Sequence, residues 1–285
     1  MSAILNTTET KTKTKTKNKD EQAYLDMLRK IRDDGDERHS RNGIVKSLFG
    51  ESLKFDLRNG KFPLLTSKSV SFKNVFLELK WFMEGRTDAK WLRDRGVNIW
   101  NNNAKLFGDD DLGKIYGYQF RHAGSVDQVA NTIKLLKEDP FSRRIVMSTW
   151  SPGDLNEMAL PPCHGVAIQF FVNTKKELHT QMYQRSADFC LGVPYNIASY
   201  SLMTIMLANI CGLKPGSLQI CFGDAHVYEN HFAPMETQLA NEPNPFPLLQ
   251  LKSDVRRSDP GEFEIDDFVL VDYSNHGRVT YPFSV

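Results

Sequence analysis

The chain has 285 residues, 40% of them hydrophobic, which is enough to bury a sizeable core and argues against a wholly disordered protein. Lys and Arg number 36 against 35 Asp and Glu, so a globally basic nucleic-acid binder is disfavoured. Cys163, Cys190, Cys211 and Cys221 form no C-x-x-C or other zinc spacing, and a chain this long needs no disulfide staples; a reducing compartment fits.

In chain order, residues 1–20 come first. Five lysines there largely alternate with threonine, beside only Glu9 and Asp20, with no apolar periodicity. They are expected to form a disordered tail, a solvated segment rather than a functional basic arm. The start of the chain lacks the apolar stretch of a signal peptide and the arginines of a transit peptide. The most apolar run, residues 202–213, holds Thr204 and Asn209 and is too short to span a bilayer. A soluble cytoplasmic protein with no membrane partner is the expectation.

Structure is expected from residue 21, as one domain over residues 21–285. Tyr24, Met27, Leu28 and Ile31 share one helical face, and Gly35 suits the left-handed residue after its end. Phe72, Val75, Phe76, Leu79, Phe82 and Met83 predict a second helix, closed by Gly85. Val129, Ile133 and Leu136 predict a third, ended before Pro140. Tyr200, Met203, Leu207, Ile210 and Cys211 predict a fourth, ended by Gly212. Residues 144–150, 166–172, 178–183 and 217–222 are rich in β-branched or aromatic types and predict strands. Helices and strands mix without regular βαβ alternation, which points to the α+β class.

Three segments and one basic pair could carry chemistry. In Pro161, Pro162, Cys163 and His164, two prolines fix the approach of a cysteine just before a strand. Such a cysteine can be a nucleophile if cations lower its pKa; a buried structural thiol is the commoner outcome. The stretch from Gln184 to Asn196 leads from a strand towards the fourth helix. Arg185 and Ser186 there can bind an anion, Asp188 can accept a hydrogen bond, and Asn196 can donate and accept at once, as a pyrimidine edge requires. In Gly223 to His231, His226 and Tyr228 are spaced for one strand face. Their spacing matches no zinc motif, and no metal is expected. Arg143 and Arg144 open a predicted strand, where neighbours face opposite ways and reach one anion only across a bend.

These motifs, in this order across residues 21–285, resemble the thymidylate synthase family. The resemblance implies a mixed sheet surrounded by helices, with dimerisation through the sheet. It implies reductive methylation of dUMP to dTMP, with 5,10-methylenetetrahydrofolate as co-substrate and dihydrofolate as second product. Cys163 matches the nucleophile that adds to pyrimidine C6. Arg41, Arg185 and Ser186 match phosphate ligands, and the pair matching Arg143 and Arg144 is donated across the homodimer. Asn196 matches the reader of the O4/N3 edge, and Gln184 stands with the substrate-binding set. His226 and Tyr228 match the deoxyribose 3′-OH ligands. Glu78 matches the carboxylate that organises water for proton transfer, and Tyr116 the tyrosine near C5. Trp100, Asp188, Leu191, Gly192 and Tyr195 match folate contacts, and Ser284 lies in the tail that closes over the folate.

The chain departs from the family pattern at several places. Asn42-Gly43-Ile44-Val45-Lys46 replaces the usual Thr-Gly-Thr-Gly, Asn103 stands for a second tryptophan, and Phe120 for the tryptophan of Gln-Trp-Arg. Lys68-Ser69 is a reduced basic pair, Cys190 replaces phenylalanine, and the tail ends Pro282-Phe283-Ser284-Val285. An amide at residue 103 could admit water to the last step, which makes a 5-hydroxymethylase of the same family the alternative. A catalytically silent nucleotide- or RNA-binding homologue is the other alternative; no obligatory nucleic acid is expected.

Overall fold

The computed structural model describes residues 17–40 and 43–283; residues 1–16 of the predicted tail, Arg41, Asn42, Ser284 and Val285 lie outside them. Helix α1 spans Lys19–Asp34, so regular structure begins inside the segment expected to be a tail. The Asn18 side chain accepts the Glu21 N–H at 3.2 Å and caps the helix. The buried Glu21 carboxylate accepts the Thr66 and Ser67 N–H groups at 2.8 and 2.7 Å and ties this end to the body. The predicted face of α1 is buried. Gly35 is extended (φ −68°, ψ 139°) rather than left-handed, and a Cβ there would collide with the Ile31 carbonyl, so close approach selects the glycine.

The remaining helices are α2 (Phe72–Met83), α3 (Ala89–Arg93), α4 (Asn101–Phe107), α5 (Tyr116–His122), α6 (Gln128–Glu138), α7 (Gly192–Ile210) and α8 (Phe232–Leu239). The strands are β1 (Asp36–Ser40), β2 (Gly43–Asp56), β3 (Val146–Met147), β4 (Ala167–Val172), β5 (Glu177–Asp188), β6 (Lys214–Tyr228), β7 (Leu248–Leu251) and β8 (Phe268–Val271). Strands β1 to β6 form one sheet in the order β1-β2-β6-β5-β4-β3, and β7 pairs with β8. Only β5 and β6 run parallel in the larger sheet; its other pairs are antiparallel. A parallel pair needs a long crossover, and α7 supplies it. Residues 192–210 carry no charged side chain, and nearly all of them are buried, as a core helix requires.

Period-two alternation divides the sheet into two faces. On the inner face Leu53, Ile220, Met182, Ile168 and Met147 form one buried row across five strands. On the outer face Val146, Phe171 and Tyr183 are exposed. The α+β expectation holds, with corrections. The strand expected over residues 144–150 shrinks to Val146–Met147, and Arg143 and Arg144 lie in the preceding turn. The strand-alternation argument therefore does not apply to that pair. Strands β5 and β6 run on past residues 183 and 222, so Ser186, Asp188, His226 and Tyr228 stand on strands. Helix α7 begins at Gly192, well before Tyr200, and carries Tyr195 and Asn196. Among the described residues no helix is long and apolar enough to cross a membrane.

Candidate active site

A cavity of about 1060 Å³ opens where the C-terminal ends of β5 and β6 meet the start of α7, α2 and α4. It brings together Glu78, Trp100, Tyr116, Cys163, Gln184, Arg185, Ser186, Asp188, Leu191, Gly192, Tyr195, Asn196, His226 and Tyr228, all named from the sequence. Arg143 and Arg144 are exposed and do not line it. Arg41 and Ser284 lie outside the described residues, but Phe283 reaches the cavity wall.

The loop that carries Cys163 is clamped from both sides. The Cys163 N–H donates to Tyr116 Oη at 2.8 Å, and the Ser186 N–H donates to the Cys163 carbonyl at 3.2 Å. Arg185 donates to the Pro162 and Pro161 carbonyls at 3.2 and 3.4 Å, and its Nη2 lies 4.0 Å from Cys163 Sγ. Burial pushes the thiol pKa up; the Arg185 cation and Tyr116 pull the other way without overcoming it. One guanidinium therefore does not activate this thiol. Beside it, His164 stacks on Tyr116 at 4.3 Å, and its Nδ1 meets Tyr200 Oη at 2.9 Å. Burial lowers the His164 pKa to about 3, which keeps the ring neutral.

Glu78 lies on α2 with its side chain inside the cavity, only 8% exposed. Burial raises its pKa to about 7, against the Trp100 Nε1 hydrogen bond of 2.9 Å that favours the anion. A carboxyl with that pKa can hold or release a proton near neutral pH. Its α2 neighbours Phe82 and Trp81 pack on Tyr116 and Trp100, so an aromatic cluster fixes the acid. The sequence alone allowed Glu78 to be an ordinary surface residue.

At the start of α7, Asn196 Oδ1 accepts from Gln184 Nε2 at 2.9 Å, and both side chains are buried. Gln184 Oε1 is buried and has no hydrogen-bond partner among the described residues. Asp188 Oδ1 accepts the Cys190 and Leu191 N–H groups at 2.9 and 3.0 Å, which shapes the turn into α7. A carboxylate oxygen of Asp188, the Cys190 sulfur and a His231 ring nitrogen lie within 4.8 Å of one another. The buried Lys68 ammonium donates to the Cys190 carbonyl, and burial lowers its pKa to about 8. Lys68 thus serves the interior of this chain. The C-terminal segment is anchored nearby: Tyr281 Oη donates to Gln238 Oε1 at 2.6 Å, and the Pro282 carbonyl pairs with His231 Nε2 at 2.7 Å.

Sequence reasoning missed Arg38, on β1, which also lines the cavity. Every residue of β1 is exposed, so no hydrophobic pattern marked that strand. Trp150 was missed too; the Arg185 guanidinium lies 5.3 Å from its ring centre.

A thiol beside an arginine, a buried acid near neutrality and a buried amide, set on a mixed sheet with one parallel pair, are equipment suited to an enzyme that works through a cysteine adduct. Comparison with known proteins narrows the class. Residues 22–285 match the family model described as thymidylate synthase. The chain is 42% identical to the thymidylate synthase of Saccharomyces cerevisiae, over 93% of its own length and 97% of that protein's. It is 43% identical to bifunctional dihydrofolate reductase-thymidylate synthases of Arabidopsis thaliana and Paramecium tetraurelia, again over 93% of its length. It spans 50% and 61% of those two longer relatives. The chain belongs to the thymidylate synthase family.

Proposed function

We propose that this protein reductively methylates dUMP to dTMP, with 5,10-methylenetetrahydrofolate as one-carbon donor and reductant and dihydrofolate as second product, and that residues 21–285 act as one catalytic unit. The observation that carries the reading is the meeting of Cys163, Arg185, Glu78 and Asn196 in one cavity. The cavity also suits a folate: Trp100 offers a flat aromatic surface, Leu191, Gly192, Tyr195 and Phe283 add apolar wall, and Asp188 adds an acceptor. The folate supplies the one-carbon unit and the hydride.

The chain's own residues do the rest. Arg185 and Ser186 bind the phosphate. The Cys163 thiolate forms a bond to pyrimidine C6, and the C5–C6 π electrons move towards O4 and make C5 nucleophilic. Asn196 reads O4 and N3 and stabilises the charge on O4. Glu78 organises the water that moves protons to and from that edge, and Tyr116 stands where the C5 proton leaves. His226 and Tyr228 hold the 3′-OH. Once C5 carries the new carbon, loss of the C5 proton breaks the bond from that carbon to the folate nitrogen and leaves a methylene on C5. Addition of hydride to it makes the methyl group, and the electrons returning to the ring break the C6–S bond and free the Cys163 thiolate.

Cys163 needs more positive charge than Arg185 provides. Arg143 and Arg144 are exposed beside the outer sheet face, where Val146, Phe171 and Tyr183 present apolar surface. These features support a homodimer through the sheet, with Arg143 and Arg144 of each subunit reaching the other subunit's phosphate site. Sedimentation at the mass of two chains is the expected result. The reaction is tested by incubating the protein with dUMP and methylenetetrahydrofolate, following dihydrofolate absorbance and weighing the nucleotide. Dihydrofolate together with dTMP supports the reading. A 5-hydroxymethyl nucleotide without dihydrofolate overturns it in favour of water addition.

A further inference from the structure

Asp224 and His226 stand two residues apart on β6 and line the cavity with Tyr228. Across the sheet His226 is in register with Ser47 on β2 and Asp188 on β5, while Arg38 on β1 is in register with Val45, itself opposite Tyr228. Arg38 does not stay in its own row. Its guanidinium donates to Ser47 Oγ at 2.7 Å and ion-pairs with Asp224, crossing β2 diagonally to do so. Asp224 in turn meets the imidazole: its Oδ1 lies 3.1 Å and its carbonyl oxygen 3.3 Å from His226 Nδ1.

Both partners of His226 Nδ1 are acceptors, so the neutral ring carries its proton on Nδ1. Nε2 then keeps its lone pair and can accept a hydrogen bond, such as one from a sugar hydroxyl. Burial alone would raise the Asp224 pKa, but hydrogen bonds from His226 and Arg38 outweigh it and hold the carboxyl at about 2. The acceptor that sets the tautomer is therefore an anion throughout the neutral range. The His226 ring is also braced edge-on against Tyr228, with centroids 5.3 Å apart.

We propose that Arg38 and Asp224 are positioning residues for nucleotide recognition: Arg38 holds Asp224, Asp224 fixes the tautomer and plane of His226, and His226 Nε2 accepts the 3′-OH of the bound deoxynucleotide. This rests on the assignment of dUMP as substrate and adds two residues that touch no substrate themselves. Asp224→Asn turns the acceptor into an amide that can donate to Nδ1, which favours the opposite tautomer and places a donor where the acceptor is needed.

The test is calorimetric binding of dUMP and of 2′,3′-dideoxyuridine 5′-monophosphate, which lacks the 3′-OH. Binding rather than turnover is the readout. Asp224→Asn is expected to weaken dUMP binding by roughly tenfold, on the order of one hydrogen bond to a well-placed group, and to leave the dideoxy nucleotide within about twofold. Arg38→Ala is expected to do the same to a smaller extent, with Arg38→Lys restoring most of the loss. The double variant is expected to bind dUMP no worse than Asp224→Asn alone, because the two act in series. Equal losses for both nucleotides, no loss for either, or additive single effects would overturn the relay. Failure of the unaltered protein to bind dUMP would instead overturn the assignment of the substrate.

Discussion

Part of the cavity's strand wall meets solvent, whereas the residues around Glu78 are closed off from it. On β5 and β6, Arg185, Ser186, Asp188, Asp224 and Tyr228 are half-exposed although Gln184 and His226 are buried, and hydrogen bonds from His226 and Arg38 keep the Asp224 carboxyl ionised. Glu78 on α2, Tyr116 on α5, Asn196 on α7 and Trp100 just before α4 are at most 8% exposed. Burial there does chemical work: it moves Glu78 from the ordinary carboxylate range to about 7. The division suits the proposed substrate. A phosphate and a sugar arrive hydrated and are met by fixed charges and dipoles, whereas proton movement at the base needs a dry acid poised near the working pH.

Removing the proposed nucleophile, Cys163, gives the largest effect. Cys163→Ser is expected to abolish turnover while leaving the fold intact, checked by dihydrofolate production and circular dichroism. Glu78→Gln comes next and breaks the helix wall alone: kcat should fall by about 10² to 10⁴-fold, with nucleotide binding nearly unchanged. The same substitution has a stability signature. A carboxyl with a raised folded-state pKa binds its proton more tightly in the native state. Stability should therefore decline as pH rises from about 4.5 to about 7, by at most about 3 kcal/mol, and level off above that. In Glu78→Gln this part of the slope should vanish in urea titrations across that range.

Asn196→Asp sharpens the contrast within the helix wall. In the proposed reaction its amide donates to O4, and the aspartate replaces that donor by a group suited to the 4-amino substituent of cytosine. The ratio of kcat/KM for dUMP over dCMP is expected to fall by about tenfold or more in competition assays. The smallest effect belongs to Trp100→Phe. It deletes the 2.9 Å hydrogen bond that opposes burial at Glu78, so the Glu78 limb of the kcat profile should move to higher pH.

The same contrast explains what could be read from the sequence. The strand wall announced itself, because His226 and Tyr228 sit at period-two spacing and Arg185, Ser186 and Asp188 cluster in a polar stretch among apolar residues. The helix wall did not: Glu78 is one of 35 acidic residues, and only packing of Trp81, Phe82 and Trp100 distinguishes it. Glu78, Trp100 and Tyr116 were found through family resemblance, whereas Asn196 stood out by its amide at the end of the polar stretch. In the fold, the four long helices were visible in their apolar faces, but α7 was shortened because residues 192–199 have no one-sided pattern in a helix buried all round. Strand β1 escaped because all five of its residues are exposed, and with it went Arg38. The turn at Arg143 and Arg144 escaped because nothing local separates a strand end from a charged turn.

The most direct test of the whole account is intact-protein and peptide mass spectrometry after incubation with 5-fluoro-dUMP and methylenetetrahydrofolate. The fluorine cannot leave as a proton does, so the adduct at C6 should persist. The account predicts one added nucleotide–folate mass per chain, mapped to the peptide containing Cys163. A folded protein that stays unmodified, or an adduct on Cys190, Cys211 or Cys221, would contradict it.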